Sequence, residues 1–407
     1  MNILFLTYHG FDPGSGITKK MFAQVKGLRQ NGHTVHLCSY DVAADGSRCR
    51  YVDDEVIRNY GRGPLSALRQ RISLGCIYRY CLDNGIDMVY ARHFMNASPF
   101  LVRLFRRLRK AGVKSVMEIP TYPYDQEFRG FSFSQRMRLH YDQLFRHALA
   151  RQMEAIVTFS DEERIFGQRT IRISNGVDLD TIPLHHPSPS TLHPGRTSPS
   201  GEGQVGASTL HLIGVAEVHV WHGYDRLLRG LGEYYRSGNV PVEVFFHIVG
   251  AVWPNEMEGT DYIPGFRPIL DEYGLHDKVI FHGQLFGDAL DAVFTQCRFA
   301  IGSLGRHRSG ITSIKTLKNR EYASRGIPFI YSEHDSDFDD KPYVLKAPAD
   351  ESPINIRAII DFMDRFTMPP ADIRRTVEHL SWRRQMQQVV QGTFNPPPST
   401  LNPPPSS

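Results

Sequence analysis

Two stretches of this sequence gather cations, glycines and carboxylates where an apolar run hands over to a helix-like pattern, the place at which an open α/β sheet holds its ligand. In the second half, Ser303-Leu304-Gly305-Arg306-His307-Arg308-Ser309-Gly310-Ile311-Thr312-Ser313-Ile314-Lys315-Thr316-Leu317-Lys318 carries two arginines in a glycine-bounded loop. A helix opening at about Thr312 sets its unpaired N–H groups and its dipole on the same anion as Arg306, Arg308, Lys315 and Lys318, which reads as a diphosphate site. Glu321 lies three residues after Lys318 and four before Arg325. Ion pairing along one helix face is an equally good account of that carboxylate.

In the first half, Gly10-Phe11-Asp12-Pro13-Gly14-Ser15-Gly16 lies between a strand and a helix. Glycines there let the backbone approach an anion at the helix start, although a plain connecting turn is the alternative. The spacing is not G-x-G-x-x-G, and Leu37-Cys38-Ser39-Tyr40 closes the next strand without an acidic residue, which sets a nicotinamide-dependent dehydrogenase aside. Strand 113–119 ends in Glu118-Ile119-Pro120-Thr121-Tyr122-Pro123-Tyr124-Asp125, bringing carboxylates and tyrosine hydroxyls suited to sugar hydroxyls to the ligand edge, unless the prolines only stiffen a loop. Arg92-His93, just after strand 87–91, lies at the same edge.

The elements that must position these groups alternate. Strands are expected at 2–8, 33–39, 87–91, 113–119 and 154–159, with helices at 18–31, 64–82, 97–111 and 133–152. A second series follows: strands 209–215, 242–249, 278–282, 298–303 and 327–331, with helices 223–236, 266–274, 287–296 and 312–325. This rhythm predicts two parallel sheets covered on both faces. Residues 184–208 are rich in Ser, Pro, Thr, His and Gly and predict a disordered insertion; the Asn-Pro-Pro-Pro-Ser repeats of the tail predict the same. Helices are expected at 353–366 and 371–390, the second turning back toward the first domain.

A chain of 407 residues exceeds what one core organises, so two domains are expected. Hydrophobic residues at 41%, with 24 Phe and 18 Tyr, exclude wholesale disorder. Apolar runs such as Met88-Val89-Tyr90-Ala91 fall far short of the roughly 20 residues of a spanning helix. The first residues read as a strand and lack a basic n-region, so a cytoplasmic location is expected. Cys38, Cys49, Cys76, Cys81 and Cys297 contain no C-x-x-C pair, which predicts free thiols and no zinc site. The net charge of +4 hides an asymmetry: residues 1–182 hold 26 Lys and Arg against 18 Asp and Glu, the remainder 21 against 25. Cations beside apolar stripes at 101–110, 136–139 and Phe145-Arg146 suit contact with an anionic membrane, or an ordinary solvated helix face. No nucleic-acid module accompanies the charge.

Ile173-Ser174-Asn175-Gly176-Val177-Asp178 and Ala323-Ser324-Arg325-Gly326-Ile327-Pro328-Phe329-Ile330 resemble retaining GT-B glycosyltransferases of family 4, and the Trp221-His222-Gly223-Tyr224-Asp225-Arg226 and Leu317-Lys318-Asn319-Arg320-Glu321-Tyr322 blocks resemble a bacterial surface-polysaccharide branch of them. The resemblance covers about residues 1–370. It implies two Rossmann-like doubly wound domains facing each other across a cleft: an acceptor-side domain at 1–182, an insertion at 183–208, a nucleotide-sugar domain at 209–370, a closing helix at 371–390 and a tail at 391–407.

The resemblance further implies that Glu321 holds the ribose of the nucleotide, and that Gly14, Ser15 and Gly16, with Arg92, His93, Glu118, Tyr122 and Asp125, face the acceptor. The family's first Glu is Ser313 here, and its Arg/Lys phosphate pair is missing from Gly214–Gly223. Relocation of those cations to Arg306, Arg308, Lys315 and Lys318, with His222 where the family Lys stands, is the favoured explanation; a packing role for His222 beside Trp221 is equally open. The expected activity is transfer of a sugar, in the hexosyltransferase class, from a nucleotide-sugar donor to a saccharide or lipid-linked acceptor, with no cofactor or metal required. The rival reading is a catalytically degenerate GT-B scaffold that partners another glycosyltransferase.

Overall fold

The computed structural model describes residues 1–11, 15–93, 95–125, 133–186, 208–260 and 264–396. The chain divides into two compact units, Met1–Gly176 with Leu380–Ser407, and Val177–His379. Gly14, most of the 183–208 insertion and most of the 391–407 tail lie outside the described residues.

The first unit runs β1 (Asn2–Leu6), α1 (Gly16–Gln30), β2 (Thr34–Val42), β3 (Arg48–Val52), β4 (Glu55–Asn59), α2 (Pro64–Ile72), α3 (Gly75–Asp83), β5 (Met88–Arg92), α4 (Pro99–Lys110), β6 (Lys114–Ile119), α5 (Phe133–Ala150), β7 (Ala155–Thr158), β8 (Arg164–Ile165) and β9 (Gln168–Arg172). Its sheet has the order β4-β3-β2-β1-β5-β6-β7-β9-β8. The inner strands β1, β5, β6 and β7 are almost wholly buried; β1, β5 and β7 are mostly apolar, as parallel strands under two helix layers tend to be, whereas β6 carries Lys114, Ser115 and Glu118. Strand order reverses between β1 and β5, so the loops leaving those two strands border this unit's crevice.

The sheet is not parallel throughout. β2, β3 and β4 form an antiparallel meander, and β8 pairs antiparallel with β9. The β3–β4 hairpin turns on Asp53 and Asp54, both at positive φ, the two-residue geometry that matches strand twist. The helix expected over 64–82 is two helices, separated at Ser73-Leu74.

The second unit runs β10 (Ser208–Val215), α6 (Tyr224–Arg236), β11 (Val242–Val249), α7 (Pro254–Glu258), α8 (Phe266–Tyr273), β12 (Val279–Gly283), α9 (Asp288–Gln296), β13 (Phe299–Ile301), α10 (Leu317–Arg325), β14 (Phe329–Tyr331), β15 (Val344–Lys346), α11 (Ile356–Arg365) and α12 (Pro370–Arg375). All six strands are parallel, in the order β12-β11-β10-β13-β14-β15. This is the Rossmann winding, with its reversal between β10 and β13. Leu210 and Leu212 bury one face against Leu227, Leu231, Ile269 and Ile359 of α6, α8 and α11.

The helix expected over 371–390 is also two. α12 stays with the second unit, while α13 (Trp382–Phe394) belongs to the first. There α13 lies on α1 at Gly27, where a Cβ would come within 2.7 Å of the Trp382 backbone, and Gln385 Oε1 accepts from Ser174 N at 2.8 Å.

One row of the second sheet is polar. His211 Nδ1 stands 2.8 Å from His247 Nε2, and His247 Nδ1 stands 2.9 Å from His282 Nε2, across β10, β11 and β12. Burial, with the charges of His211 and His282, pulls His247 down to about 4; burial lowers the other two. A lowered folded value makes this stability complete above the unfolded value of 6.5, and it drains as pH falls toward 4. Urea unfolding of His247→Gln should therefore lose less stability between pH 6.5 and 4.5 than the parent, by up to about 1.4 kcal/mol per pH unit. Equal pH slopes for the two proteins would remove the ladder as the cause.

Candidate functional site

Strand reversal in the second unit opens a crevice between the loop after β10 and the loop after β13. The first loop contains a short 3-10 turn, Val220–His222, and the second a similar turn, Arg306–Ser309. The loops are joined by backbone: Leu304 N donates to His222 O at 2.9 Å and Gly305 N to Trp221 O at 3.2 Å. They approach glycine to glycine. A Cβ on Gly223, which sits at φ +63, would lie 2.7 Å from Gly305 N. Arg308 locks the junction, donating to Val220 O at 2.9 Å, to both oxygens of Asp225 at 2.8 Å, and to Glu351. Its guanidinium is held well above the ordinary range by these carboxylates, outweighing burial, so Arg308 is a structural clamp on the loops.

The helix carrying Glu321 begins later than the sequence suggested. Thr316, not Thr312, is the N-cap of α10, accepting from Asn319 N at 3.4 Å. Residues 312–314 are extended instead and pair with His334: His334 N donates to Thr312 O at 2.7 Å and Ile314 N to His334 O at 2.9 Å. Ser313 is thus an exposed residue on a short bridge, and Lys315 precedes the cap. Lys318 lies in the first turn. Arg320, fully buried, fastens this turn to the segment after β14 through Asp335 at 2.7 and 3.0 Å, and through Asp337.

These supports bring Lys318, Arg306, His222 and Glu333 into one electrostatic cluster. Lys318 Nζ is buried without a hydrogen-bond partner among the described residues. Burial, reinforced by the charge of Arg306 and opposed by Glu333, pulls its ammonium down to about 7. Burial, with Lys318 and Arg306, carries His222 well below the ordinary imidazole range. His222 Nδ1 accepts from His219 N at 2.9 Å, so the neutral ring carries its proton on Nε2 and presents a donor there. The Arg306 guanidinium stands 5.5 Å over the Trp221 ring. A buried ammonium, a guanidinium and a neutral N–H donor at a sheet reversal have the chemistry to hold a multiply charged anion.

Glu333 was not anticipated from the sequence. It follows β14, which ends at the same sheet edge, and burial pushes its carboxyl up to about 7 against the pull of Arg306 and Lys318. Four polar residues, Ser332 to Asp335, directly after the apolar Phe329–Tyr331 run are the signal that finds it. Glu321 lies one turn along α10 from Lys318, half-buried, with Oε1 accepting from Arg325 Nε and Nη2 at 3.2 and 3.1 Å. Helix-face pairing is therefore real, alongside any ligand role.

In the first unit, Glu118 is sealed in. Gln24 donates to it at 2.6 Å, Tyr90 donates to it as well, and Lys20 and Arg92 lie at 3.3 and 3.1 Å. Burial alone would raise its carboxyl, yet these partners hold it down to about 2. Glu118 and Arg92 thus anchor the sheet edge and do not reach a surface where a sugar could meet them. His93 is buried, its Nε2 3.5 Å from Asp142, beside Tyr124. Tyr122 packs edge-on against Phe166, and Asp125 pairs with Arg146 at 2.8 Å. Ser15 caps α1 through Ile17 N, and the Cα of Gly16 faces open space.

No protein-family model matches the sequence, and no curated protein matches it. Among solved structures the likeness spans the whole chain. Sucrose-phosphate synthase from Thermosynechococcus elongatus aligns with a TM-score of 0.58 at 16% identity, over 97% of this chain and 99% of that one. Trehalose-6-phosphate synthase OtsA aligns at 0.55 and 10% identity, over 97% and 99%. WaaG, a glycosyltransferase involved in lipopolysaccharide biosynthesis, aligns at 0.53 and 12%, over 97% and 100%. The fold is GT-B. In this GT-B chain the reversal of the second sheet is where Lys318, Arg306, His222 and Glu333 meet.

The glycine contact between the loops is open to test. Gly223→Ala forces both a left-handed backbone and a collision, whereas Gly238, at φ +70 with nothing within 4 Å, imposes only the backbone cost. Gly238→Ala should cost about 1–2 kcal/mol, and Gly223→Ala roughly 1–3 kcal/mol more from overpacking, measured by urea unfolding. Equal losses would mean the loops are not held by this approach.

Proposed function

We propose that this chain is a nucleotide-sugar-dependent glycosyltransferase that transfers a hexosyl group with retention to a hydroxyl acceptor, in bacterial polysaccharide or glycoconjugate synthesis. The observation that carries the reading is the buried, unpartnered Lys318 ammonium beside Arg306 and His222 at the second unit's reversal. Leaving such a group unpaired costs stability that a bound anion returns. A scaffold without a donor has no use for it, which disfavours the degenerate reading. The matched structures are named as synthases of sucrose phosphate and trehalose 6-phosphate and as a glycosyltransferase, in agreement.

In this reading Lys318 and Arg306 hold the donor diphosphate and His222 Nε2–H bonds one of its oxygens. Glu321, one turn along α10, takes the nucleotide ribose while keeping Arg325. As the glycosyl C–O bond breaks, these fixed cations stabilise the departing diphosphate, with no metal required by the scheme. The leaving phosphate takes the acceptor proton. Ser15 and Gly16 at the start of α1, with Tyr122 and Asp125, lie on the acceptor side.

A lipid-linked acceptor and a cytoplasmic membrane surface belong to the same proposal. The cations of α4 lie opposite an apolar side that is core: Leu101, Leu104, Phe105 and Leu108 are buried. Exposed apolar stripes occur instead on α2, at Leu65, Leu68 and Ile72, and on α5, at Phe133, Met137, Tyr141 and Leu144. Arg138 of α5 feels the charge of Arg71 of α2, so cations of the two helices lie within electrostatic reach of each other. Among the described residues no helix is long and apolar enough to cross a membrane, so contact would be peripheral.

Calorimetry against UDP-, GDP- and dTDP-sugars should find one that binds; binding of none would sink the reading. Lys318→Ala should weaken the bound nucleotide by about tenfold or more. Since phosphate needs the ammonium form and Lys318 sits at about 7, affinity for the nucleoside diphosphate should fall as pH rises past 7. Ionisation of Glu333 over the same range acts in the same direction. Lys318→Arg, always charged, should make the fall shallower and leave only the part due to Glu333. For the membrane, flotation with anionic vesicles should show binding at low salt that Leu68→Glu with Leu144→Glu removes; no low-salt binding by the parent would discard this part.

A further inference from the structure

The diphosphate accounts for the cations of this site but not for Glu333. The residue is 2% exposed, and both carboxylate oxygens are buried with no hydrogen-bond partner among the described residues. The backbone around it is firmly placed. Lys346 Nζ donates to Glu333 O, Ser332 N donates to Ser303 O at 2.9 Å, and His334 pairs with the bridge at Thr312–Ile314. The Ser303 hydroxyl, at the end of β13, is likewise buried and unpartnered. A rigid, buried carboxylate with unfilled acceptor positions calls for donors from a ligand.

A phosphate brings none, and a carboxylate repels it. The parts of a nucleotide sugar that bring O–H donors within reach of its diphosphate are the transferred sugar on one side and the ribose on the other. Both share one chemistry, ring hydroxyls beside a diphosphate. Glu321 on α10 already stands for the ribose, whereas Glu333 reaches the cluster from the separate segment after β14, whose next residue pairs with Ser313. We propose that Glu333 accepts hydrogen bonds from the hydroxyls of the transferred sugar and is the residue that makes the site prefer a nucleotide sugar over the bare nucleoside diphosphate. This inference rests on the donor reading above.

The test compares one nucleoside diphosphate with and without its sugar, using the nucleotide sugar that binds the parent best. Glu333→Gln should weaken the nucleotide sugar roughly tenfold, because a charge-assisted acceptor becomes a neutral one. The bare diphosphate should bind as before or more tightly. Glu333→Gln should also raise the thermal midpoint of the free protein, since an unpaired buried carboxylate is gone. Glu333→Asp keeps the charge but withdraws it by one methylene, and should lose the preference for the sugar while leaving diphosphate affinity within about twofold. Lys318→Ala weakens both ligands and serves as the control.

Equal weakening of both ligands by the Glu333 variants would assign the carboxylate to the ribose or to general packing and overturn the proposal. So would an unchanged sugar preference. If the parent binds no nucleotide at all, the donor reading falls first; if it binds and Glu333 proves indifferent, only this inference falls.

Discussion

The second unit's site depends on the buried pair between Arg320 and Asp335. Both side chains are fully enclosed, and the guanidinium also donates to Thr316 O and to Asp337. One group therefore fixes the first turn of α10 against the segment after β14, and with it the position of Lys318 relative to Glu333. The net stability of such a pair is small, because desolvation offsets most of the attraction. Its effect is on geometry: withdrawing either partner strands a buried charge at a cost of about 3–5 kcal/mol, so the two segments do not drift apart.

The two units treat a buried carboxylate at a sheet edge in opposite ways. Glu118 ends β6 surrounded by Lys20, Arg92, Tyr90 and Gln24, and every one of these contacts favours its charged form. It is satisfied, and so contributes to the fold. Glu333 follows β14 with neither oxygen bonded among the described residues, and burial outweighs the attraction of Arg306 and Lys318. The same residue type at equivalent ends of parallel strands is an anchor in one unit and an open acceptor in the other. Partners supplied by neighbouring elements decide which, and partner counts are a property of the fold.

That distinction marks how far the sequence could be read. The alternation of strands and helices, and the existence of two α/β units, followed from apolar periodicity, because parallel strands buried on both faces leave unmistakable runs such as Ile3–Leu6 and Met88–Ala91. The β3–β4 hairpin escaped because its turn uses Asp53-Asp54 where Asn-Gly is the recognisable signal. The start of α10 was misplaced because Thr312, Ser313 and Thr316 are all competent caps. Only tertiary pairing of 312–314 with His334 selects the third. Glu118 is singled out and Glu333 is not, although one rule, polar residues at a strand's carboxyl end, applies to both; nothing local reveals which will find hydrogen-bond donors.

Burial of Lys318 carries two opposed consequences whose balance sets the working range of the site. At 4 Å, unit charges attract by about 1 kcal/mol in water and about 4 kcal/mol at an effective dielectric of 20, so an enclosed ammonium grips phosphate several-fold harder than an exposed one. The same enclosure drives the proton off, and at about 7 the group is charged in only about half of the molecules at neutral pH. A second buried lysine would deepen that loss, since each positive charge lowers the other. Arg306 does lower Lys318, but as a guanidinium it keeps its own charge throughout. Arg306 therefore keeps a positive charge in the cluster even when Lys318 is neutral, and in the donor reading proposed above a bound diphosphate would favour return of the Lys318 proton. A fixed and a titratable cation side by side would thus let the proposed site shed charge when empty and regain it against an anion.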